Sequence, residues 1–534
     1  MTEYSQHRAT TMATHGMVAA PHYLAAQAGL DLLKAGGNAL DAAIAANAVL
    51  QVVFPQLVGL GGDLFLLLYD ARSARLHALN ASGRSARTAT LERYAALGFA
   101  SMPGFGVHSI TVPGCADGWG VASERFGRLG LARALAPAIT YAEEGFPVGP
   151  LLHRGLTFMS TASHTHWSFR EHFLPDGRIP AAGSILRRPD LGRTLRAIAD
   201  HGPDVFYRGD IGEQIAAFFA REGGLITPDD LAAHASDWVT PLHVPFAGLD
   251  IYELPPNTQG VTALQMLGML DGLELGAGPL SPETVHVTVE AKKLAWADRA
   301  EYLGDPAHMR VDPEQMIAPE YLNQRRALLA TERAQTSLAP GRFDGDTIYL
   351  CAADADGNAV SLIQSNYRGF GSGLVVDGTG IVLQNRGAYF SLTPDTANTL
   401  APGKRPLHTL IPSMALKNDR PAVIFGTMGG DTQPPIHTQV YTALARYGLN
   451  IQAAIELPRW AHGAERPGEP EVLQVESRFP RATIAELEHL GHRVVEIGPW
   501  DAAVGHAQGI VIDSATGVFS GGADPRAEGV AAGW

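Results

Sequence analysis

The chain has little of what a secreted or membrane-spanning protein needs. Its 534 residues include only two cysteines, Cys115 and Cys351, so no disulfide framework can be argued. The opening residues, MTEYSQHRATTMATHG, contain neither a basic segment nor an apolar one, and a secretory signal is not visible. The longest apolar stretch, 42–68, is broken by polar residues, Pro55 and several glycines, which excludes a membrane span. We therefore expect a cytoplasmic location.

Basic charge is also scarce. The chain carries 40 Lys and Arg against 54 Asp and Glu, a formal net charge of −14, and its basic residues form isolated pairs such as Arg325-Arg326. Nucleic-acid binding needs clustered Lys and Arg, so this class of partner is excluded. A small molecule is the expected partner, and an anionic one would need local arginines to overcome an unfavourable average field.

The composition is that of a globular protein, with 46% hydrophobic and 18% charged residues. One large layered domain and two domains both fit this length. Residues 20–35 have apolar side chains at helical spacing, and Asn38 can cap a second helix with Asp41 in its first turn. The apolar run 58–69 and the alternating run 75–80 predict paired strands.

The pattern changes at Thr347. Residues 115–340 are mostly helical by pattern, and the polar stretch 325–345 predicts an exposed, mobile connector. Residues 347–353 and 359–364, joined by DADGN, then predict a hairpin. Further predictions are strands at 380–383, 413–416 and 422–425, helices at 434–447 and 482–490, and a last hairpin at 509–519. Helix-rich and strand-rich parts that each need a covering layer indicate an α/β sandwich of helices on stacked sheets.

Thr347, a hydroxyl residue at the start of a buried-type strand, is the main candidate for a catalytic residue. If the bond between Asp346 and Thr347 is cut, Thr347 gains a free α-amine with a pKa of about 7.7–8.0. That amine can act as the general base for the hydroxyl of the same residue, without a separate histidine. A Gly-Asp-Thr triplet alone, however, also fits a plain turn that enters a strand.

Longer motifs resolve this ambiguity. The chain resembles the γ-glutamyltransferase family of N-terminal nucleophile hydrolases in GMVAAPHYLAAQAGLDLLKAGGNALDAAIA, VPGCADGWG, GDTIYLCAADADGNAVSLIQS, GFGSG, GKRPLHTLIPSMAL and GTMGGDTQ, in the family's order. The resemblance implies a four-layer αββα sandwich and self-cleavage into a large subunit, 1–346, and a small subunit, 347–534. Both subunits would form one αββα unit.

The resemblance also implies roles for individual residues. Thr347 stands where the family has its processing and catalytic threonine, and Ser365 where a second hydroxyl residue hydrogen-bonds the nucleophile. Gly429 and Gly430 stand where two backbone N–H groups form the oxyanion hole, an arrangement in which glycine lets the backbone approach closely. Asp431, directly after them, is expected either to bind substrate or to orient the Thr347 amine.

Other positions depart from the family. Where transferases of the family place Asn, Gln and Asp around the substrate ammonium, this chain has Tyr367, Arg386 and Tyr389. An arginine facing an ammonium is repulsive by several kcal/mol even at an effective dielectric near ~20. The carboxylate-binding arginine aligns with Ser82, whereas Arg84 lies two residues on. The family's paired serines become His408 and Thr409.

These departures favour a small amide that bears a carboxylate and no ammonium, clamped by Arg84 and Arg386. The residues QNRGAYFSL, GSGLVV and HTLIPSMAL look closer to oxamate amidohydrolase and to glutathione-hydrolase-like proenzymes than to transferases. A γ-glutamyl hydrolase or transferase, a cephalosporin-type acylase and a binding protein that has lost processing stay open as alternatives.

No cofactor and no metal are expected. His164 and His166 form the nearest approach to a metal motif, but no cysteine or spaced carboxylate set accompanies them. The glycine-rich segments 59–62 and 369–373 do not complete a nucleotide-binding pattern, and Cys351 reads as a core residue. The partners expected are a small anionic molecule and the chain's own two fragments; dimers of processed heterodimers stay open.

Overall fold

Two large antiparallel sheets dominate the structure. The computed structural model describes residues 6–162, 165–335, 346–464 and 470–534, and for Asp346 the backbone alone. The first sheet has the strand order β1 (Thr11–Ala13), β20 (Phe519–Ala523), β19 (Ala507–Ile512), β15 (Arg420–Thr427), β14 (Ser413–Lys417), β9 (Leu249–Glu253), β8 (Leu242–Phe246). The second has the order β21 (Val530–Gly533), β2 (Gly16–Ala20), β10 (Asp346–Asp354), β11 (Ala359–Tyr367), β3 (Asp63–Asp70), β4 (Arg75–Ala81), β7 (Asp237–Val239).

Smaller sheets and helices complete the described chain. The small sheets are β5 (Phe146–Pro147) with β6 (Ile185–Leu186), β12 (Val375–Val376) with β13 (Ile381–Val382), and β16 (Trp460–Gly463), β17 (Val472–Glu476), β18 (Val494–Ile497). The helices are α1 (Tyr23–Lys34), α2 (Ala39–Val53), α3 (Leu91–Ala96), α4 (Cys115–Phe126), α5 (Leu131–Glu144), α6 (Pro150–Thr161), α7 (Trp167–Phe173), α8 (Pro189–His201), α9 (Asp204–Tyr207), α10 (Asp210–Arg221), α11 (Pro228–Ala232), α12 (Gly260–Leu270), α13 (Pro282–Tyr302), α14 (Pro313–Met316), α15 (Pro319–Arg326), α16 (Gln433–Ala445), α17 (Ile451–Glu456) and α18 (Arg481–His489). Among the helices described, none has the length and apolar character needed to cross a bilayer.

Three apolar cores separate four layers. One core lies between the second sheet and helices such as α1 and α2, and another between the first sheet and helices such as α12, α13 and α16. The third lies between the two sheets. Alternation along β11 shows the arrangement, since Leu362 belongs to the helix-side core and Ile363 to the core between the sheets. The fold is the expected αββα sandwich, and Cys351 is a core residue between the sheets.

Local sequence signals set the elements near the site. The side chain of Asn38 accepts from the N–H groups of Leu40 and Asp41, and the Asp41 carboxylate accepts from the Asn38 N–H, which forms a complete capping box at α2. The hairpin predicted after Thr347 is present as β10 and β11. The predicted pairing of 58–69 with 75–80 is present as β3 with β4, although the first strand begins only at Asp63.

The connector predicted over 325–345 is only partly as expected. Residues 336–345 lie outside the described part of the chain. Residues 325–335 are not free of the body: α15 continues to Arg326, whose guanidinium donates to the backbone oxygens of Gly268 and Met269. The Ala334 N–H donates to the Leu490 oxygen at 2.8 Å. Backbone and guanidinium donors attach this stretch to the rest of the fold. The polar composition did not reveal these contacts.

Both large sheets take strands from either side of the Asp346–Thr347 bond. In the first sheet, β1, β8 and β9 precede this bond and β14, β15, β19 and β20 follow it. In the second, β10 lies between β2, from the start of the chain, and β11. The division into fragments 1–346 and 347–534 stays a prediction, but neither fragment could form its sheets alone.

The glycine-rich segment 59–62 permits close packing at the base of the site. A Cβ on Gly62 would lie 2.4 Å from the Ser365 oxygen, and one on Gly61 would lie 2.4 Å from the Val382 oxygen. These contacts are with backbone, which cannot move aside easily. The segment therefore lets the start of β3 approach the end of β11, where Ser365 pairs with Asp63.

We expect Gly62→Ala to lower the free energy of unfolding by about 1–3 kcal/mol, because the added methyl group overlaps the Ser365 carbonyl. The measurement is denaturant unfolding followed by circular dichroism. Gly498→Ala is the matched control, since a Cβ there meets only Asp501 Oδ2 at 3.6 Å. Equal stability of the two variants would contradict this account of the segment.

Candidate active site

Thr347 lies where the pairing of β10 and β11 is irregular. Asp346 pairs with Tyr367 and Ile348 with Gln364, so the register shifts at Thr347 itself. The Thr347 side chain is buried, and its hydroxyl donates to Ser365 Oγ at 3.2 Å. The two hydroxyl residues singled out from the sequence are therefore in contact.

Ser365 also holds the backbone of Tyr367. Its Oγ accepts from the Tyr367 N–H at 2.7 Å. Tyr367 has a φ of 78°, a left-handed conformation that is unusual for a large side chain. Its ring lies edge-to-face with that of Tyr389, with centroids 5.5 Å apart. The end of β11 thus turns the Tyr367 ring toward Tyr389, another position that departs from the family.

Arg386 contacts Tyr367 and Thr409, and these three side chains are called the Arg386 wall below. The guanidinium carbon lies 4.2 Å from the centroid of the Tyr367 ring, and Nη1 donates to Thr409 Oγ1 at 3.0 Å. The side chain is 1% exposed, and burial lowers the pKa of the guanidinium to about 10, which leaves it charged at neutral pH. Within the described chain, Nη2 has no hydrogen-bond partner and no carboxylate pairs with this arginine.

Tyr389 and Asp431 are joined by a residue that the sequence did not single out. The Tyr389 hydroxyl donates to Asp431 Oδ1, and Arg299 Nη2 donates to both of them. All three groups are buried or nearly so, and Arg299 comes from α13. The Asp431 carboxylate is thus held at Oδ1 by Arg299 and Tyr389.

Gly429 and Gly430 form a sharp bend after β15. Their φ values are 136° and 52°, and a Cβ on Gly429 would lie 2.5 Å from Thr432 Oγ1. The Gly429 oxygen accepts from the Thr432 N–H and hydroxyl. Neither glycine N–H donates to a backbone or side-chain group of the described residues. Two backbone donors are therefore left for another acceptor, as an oxyanion hole requires.

Gln259 ties the glycine pair to the Arg386 wall, and it was missed from the sequence. Its side-chain amide donates to the Gly430 oxygen and the Thr409 oxygen, both at 2.9 Å. It is fully buried, just before α12. The only signal in the sequence is PPNTQG, which reads as a turn before a helix. Only the fold brings that turn to residues 409 and 430.

His408, which precedes Thr409 in the chain, is fully buried and contacts Asp63. Its Nε2 is 3.0 Å from Asp63 Oδ2, and its backbone N–H donates to the Asn257 oxygen at 2.7 Å. Burial, followed by the charge of Arg386, lowers the pKa of this histidine well below its usual value. Burial raises the pKa of Asp63 to about 7, against the lowering effect of Arg386. His408 therefore contacts Asp63, the β3 residue that pairs with Ser365, a partner that was missed from the sequence.

Arg84 has different neighbours from Arg386. Its guanidinium is 3.4 Å from Asp305 Oδ2, 3.9 Å from Asp237 Oδ2 and 3.3 Å from the Gly403 oxygen, and its side chain is 45% exposed. A clamp of Arg84 with Arg386 would require Arg84 to leave both acids. Ser82, the aligned position, donates to Asn80 Oδ1 at 2.7 Å. Of the two predicted arginines, only Arg386 contacts the other site residues.

The described residues contain one cluster with metal-compatible side chains, His286, Glu290 and His492, outside this site. His286 Nδ1 and His492 Nε2 are 2.8 Å apart, and Lys293 Nζ donates to Glu290 Oε1 at 2.6 Å. The three side chains therefore lie in contact with one another and with Lys293. Of the His-x-His pair, His164 lies outside the described residues, and His166 caps α7 by accepting from the Ser168 N–H.

Comparison with known proteins assigns the family. Residues 25–534 match the family model described as gamma-glutamyltranspeptidase. The chain belongs to the gamma-glutamyltranspeptidase family. It is 40% identical to the glutathione hydrolase-like YwrD proenzyme of Bacillus subtilis, over 98% of this chain and 99% of that one. It is also 40% identical to the oxamate amidohydrolase proenzyme of Klebsiella pneumoniae, with the same coverage.

A solved structure of the same family agrees in fold. The cephalosporin acylase from Bacillus halodurans superposes with a TM-score of 0.93 at 42% identity, covering 100% of this chain and 98% of that one. The expectations of a gamma-glutamyltranspeptidase family member, an αββα sandwich and an N-terminal nucleophile hydrolase are confirmed. The names of these three relatives differ in substrate, so family membership alone does not choose between the substrates weighed above.

The two hydrogen bonds of Gln259 give a test of its positioning role. We expect Gln259→Met to lower kcat about tenfold with little change in KM, since volume is kept but the anchor of the Gly430 backbone is lost. Oxamate and γ-glutamyl-p-nitroanilide are assayed in parallel. Gln214→Met, on the exposed face of α10, is the control. A rise in KM at constant kcat would instead make Gln259 a substrate contact.

Proposed function

We propose that this enzyme cuts its own chain between Asp346 and Thr347 and then hydrolyses a small amide that carries a carboxylate beside the scissile carbonyl, as oxamate does. In processing, Thr347 Oγ attacks the Asp346 carbonyl carbon and the C–N bond breaks, which leaves an ester. Water hydrolyses that ester, releasing the Asp346 carboxylate and a Thr347 with free hydroxyl and amine. The same hydroxyl then forms an acyl-enzyme with the substrate.

Each step has a group in reach. The freed Thr347 amine takes the proton of its own hydroxyl and passes it to the leaving nitrogen. The contact with Ser365 orients the hydroxyl. The N–H groups of Gly429 and Gly430 are the donors for the oxyanion, because no described residue uses them. Water then attacks the acyl-enzyme with the amine again as base.

The observation that carries the choice of substrate is the buried charge of Arg386. Asp63 and Asp431 act on Arg386 electrostatically, but neither forms an ion pair with it. A buried arginine without a directly bonded counter-ion is unfavourable by several kcal/mol unless another anion compensates it. Nη2 of Arg386 has no described partner, and Nη1 is held by Thr409, so the guanidinium can bind a carboxylate through its free edge. A carboxylate bound there would sit beside Tyr367, close to the Thr347–Ser365 pair.

A γ-glutamyl substrate is the second candidate, and Asp431 is the observation in its favour. A carboxylate next to the glycine pair could accept the substrate ammonium. Arg299 and Tyr389 already occupy Oδ1 of Asp431, however, and Arg386 would repel an ammonium placed between them. We therefore favour the anionic amide over the γ-glutamyl compound. A bulky glutaryl amide, as a cephalosporin-type acylase would take, is the third candidate.

Self-cleavage is tested with Thr347→Ala. We expect the wild type to run on a denaturing gel as two pieces, 1–346 and 347–534, and Thr347→Ala to stay whole because it lacks the attacking hydroxyl. Thr347→Ser is the matched control and should still be cut. N-terminal sequencing of the small piece must begin at Thr347. An intact wild-type chain that still hydrolyses an amide would overturn the mechanism.

Substrate choice is tested with Arg386→Gln, which removes the charge but keeps hydrogen-bonding capacity. We expect kcat/KM for oxamate to fall about 10–100-fold, because a hydrogen bond to a charged group is lost in a buried site. Arg84→Gln is the control, and its expected effect is within twofold. Faster turnover of γ-glutamyl-p-nitroanilide than of oxamate by the wild type would reverse the choice between the two candidates.

A further inference from the structure

A cavity of about 640 Å³ opens beside the candidate oxyanion hole. Gly429 and Met428 form part of its wall, and α6 and the turn after β11 form much of the rest. Of the candidate site residues only Gly429 lines it; the others do not, namely Thr347, Ser365, Tyr367, Arg386, Thr409 and Gly430. The cavity is several times larger than oxamate needs, since ligand pockets of about 300–1,000 Å³ hold drug-sized molecules. Its size is therefore unexplained by the acyl part of the proposed substrate.

The geometry of amide cleavage assigns the cavity to one part of the substrate. The scissile carbon has an acyl substituent and an amine substituent, and its oxygen faces the glycine N–H groups. The acyl side, at Arg386, is closed, since Arg386 and Tyr367 are each 1% exposed. The amine must leave and water must enter, which requires an open route. The cavity beside Gly429 is therefore on the amine side.

Two buried polar side chains in the cavity wall lack partners. Gln56 is 6% exposed, and neither its amide nitrogen nor its oxygen has a hydrogen bond within the described chain. His506 is 5% exposed, and both its ring nitrogens are likewise without a described partner. Buried polar groups are nearly always hydrogen-bonded in folded proteins. Both residues line the cavity, so a polar ligand group bound there could supply the missing partners.

The charge of the wall indicates the sign of that group. Arg154 of α6 lines the cavity and forms no ion pair or hydrogen bond with a described residue. Arg368 also lines it, and no aspartate or glutamate of the described chain does. This concentration of positive charge is notable in a chain with a net charge of −14. Phe105, Phe158 and Phe370 provide an apolar surface of aromatic size.

We propose that this cavity binds the leaving amine of the substrate, and that this amine has a ring-sized apolar body and a carboxylate recognised by Arg154, Gln56 and His506. The inference rests on the proposed amide hydrolysis and extends it from the acyl half of the substrate to the amine half. The substrate class becomes an amide with one carboxylate at Arg386 and a second in the cavity.

A matched series of N-substituted oxamates tests this. The series is oxamate, N-phenyloxamate, N-(4-carboxyphenyl)oxamate and its neutral isostere N-(4-carbamoylphenyl)oxamate. We expect kcat/KM for the carboxyphenyl compound to exceed that for the carbamoylphenyl compound about tenfold, because a charge-assisted hydrogen bond is added. The ratio should shrink as salt is raised, since part of the cavity is open to solvent.

The variant Arg154→Gln tests whether Arg154 recognises the carboxylate of the leaving amine. We expect the preference for the carboxyphenyl compound to disappear while kcat/KM for oxamate stays within twofold. Arg133→Gln, an exposed arginine of α5 that does not line the cavity, is the control and should keep the preference. Equal rates for the carboxyphenyl and carbamoylphenyl compounds in the wild type would overturn the inference, as would an equal loss on both in Arg154→Gln.

Failure of the proposed amide hydrolysis gives results that differ from failure of the cavity assignment. If no oxamate of the series is hydrolysed but γ-glutamyl anilides are, the acyl assignment is wrong. The same carboxyl-against-carbamoyl comparison is then made with γ-glutamyl anilides. If neither series reacts, titration calorimetry of the processed protein with 4-aminobenzoate and 4-aminobenzamide decides. Tighter binding of the acid, lost in Arg154→Gln, supports the cavity assignment, and equal binding overturns it.

Discussion

The pairing of β10 with β11 carries Thr347 into the sandwich, and every other group of the site is placed relative to that pairing. Regular pairing on both sides fixes the strand, since Cys351 pairs with Ala19 of β2 and with Ser361 of β11. The register shift at Thr347 then turns one residue out of the regular alternation. A hydroxyl at this point reaches Ser365, whereas the residues further along β10 are committed to the cores.

From that strand a continuous chain of contacts runs to the glycine bend. Ser365 holds Tyr367, whose ring lies against Arg386, and Arg386 donates to Thr409. Gln259 then joins Thr409 to Gly430, the second glycine of the bend. Because each link is buried and short, the positions of the hydroxyl, the guanidinium and the glycine N–H groups depend on one another. Preorganisation of this kind matters where charge develops on a substrate oxygen.

The sequence predicted what depends on neighbours along the chain and missed what depends on the fold. The β10–β11 hairpin and the capping box at Asn38 each follow from a few consecutive residues. Gln259 and Arg299 are far in sequence from the residues they hold, and nothing near them in the chain marks them as part of a site.

Arg84 is the opposite case, a residue that the sequence grouped with the site and that the fold places elsewhere. It was grouped with Arg386 because it lies two residues from an aligned position, but Asp305 and Asp237 surround it instead. Alignment fixes where a residue lies along the backbone. The acids that capture a long side chain come from other segments, and their positions follow from tertiary packing.

The interleaving of strands shows how this fold could tolerate the proposed cut before Thr347. A break before Thr347 would leave β10 between β2 and β11, with hydrogen bonds to both. Residues on the two sides of that bond also hold each other through buried contacts, such as Gln259 with Gly430 and Arg299 with Asp431. The free energy of the sandwich therefore depends little on one peptide bond. The proposed chemistry of Thr347 depends on breaking that bond, because an amide nitrogen is not a base at neutral pH, whereas an amine is.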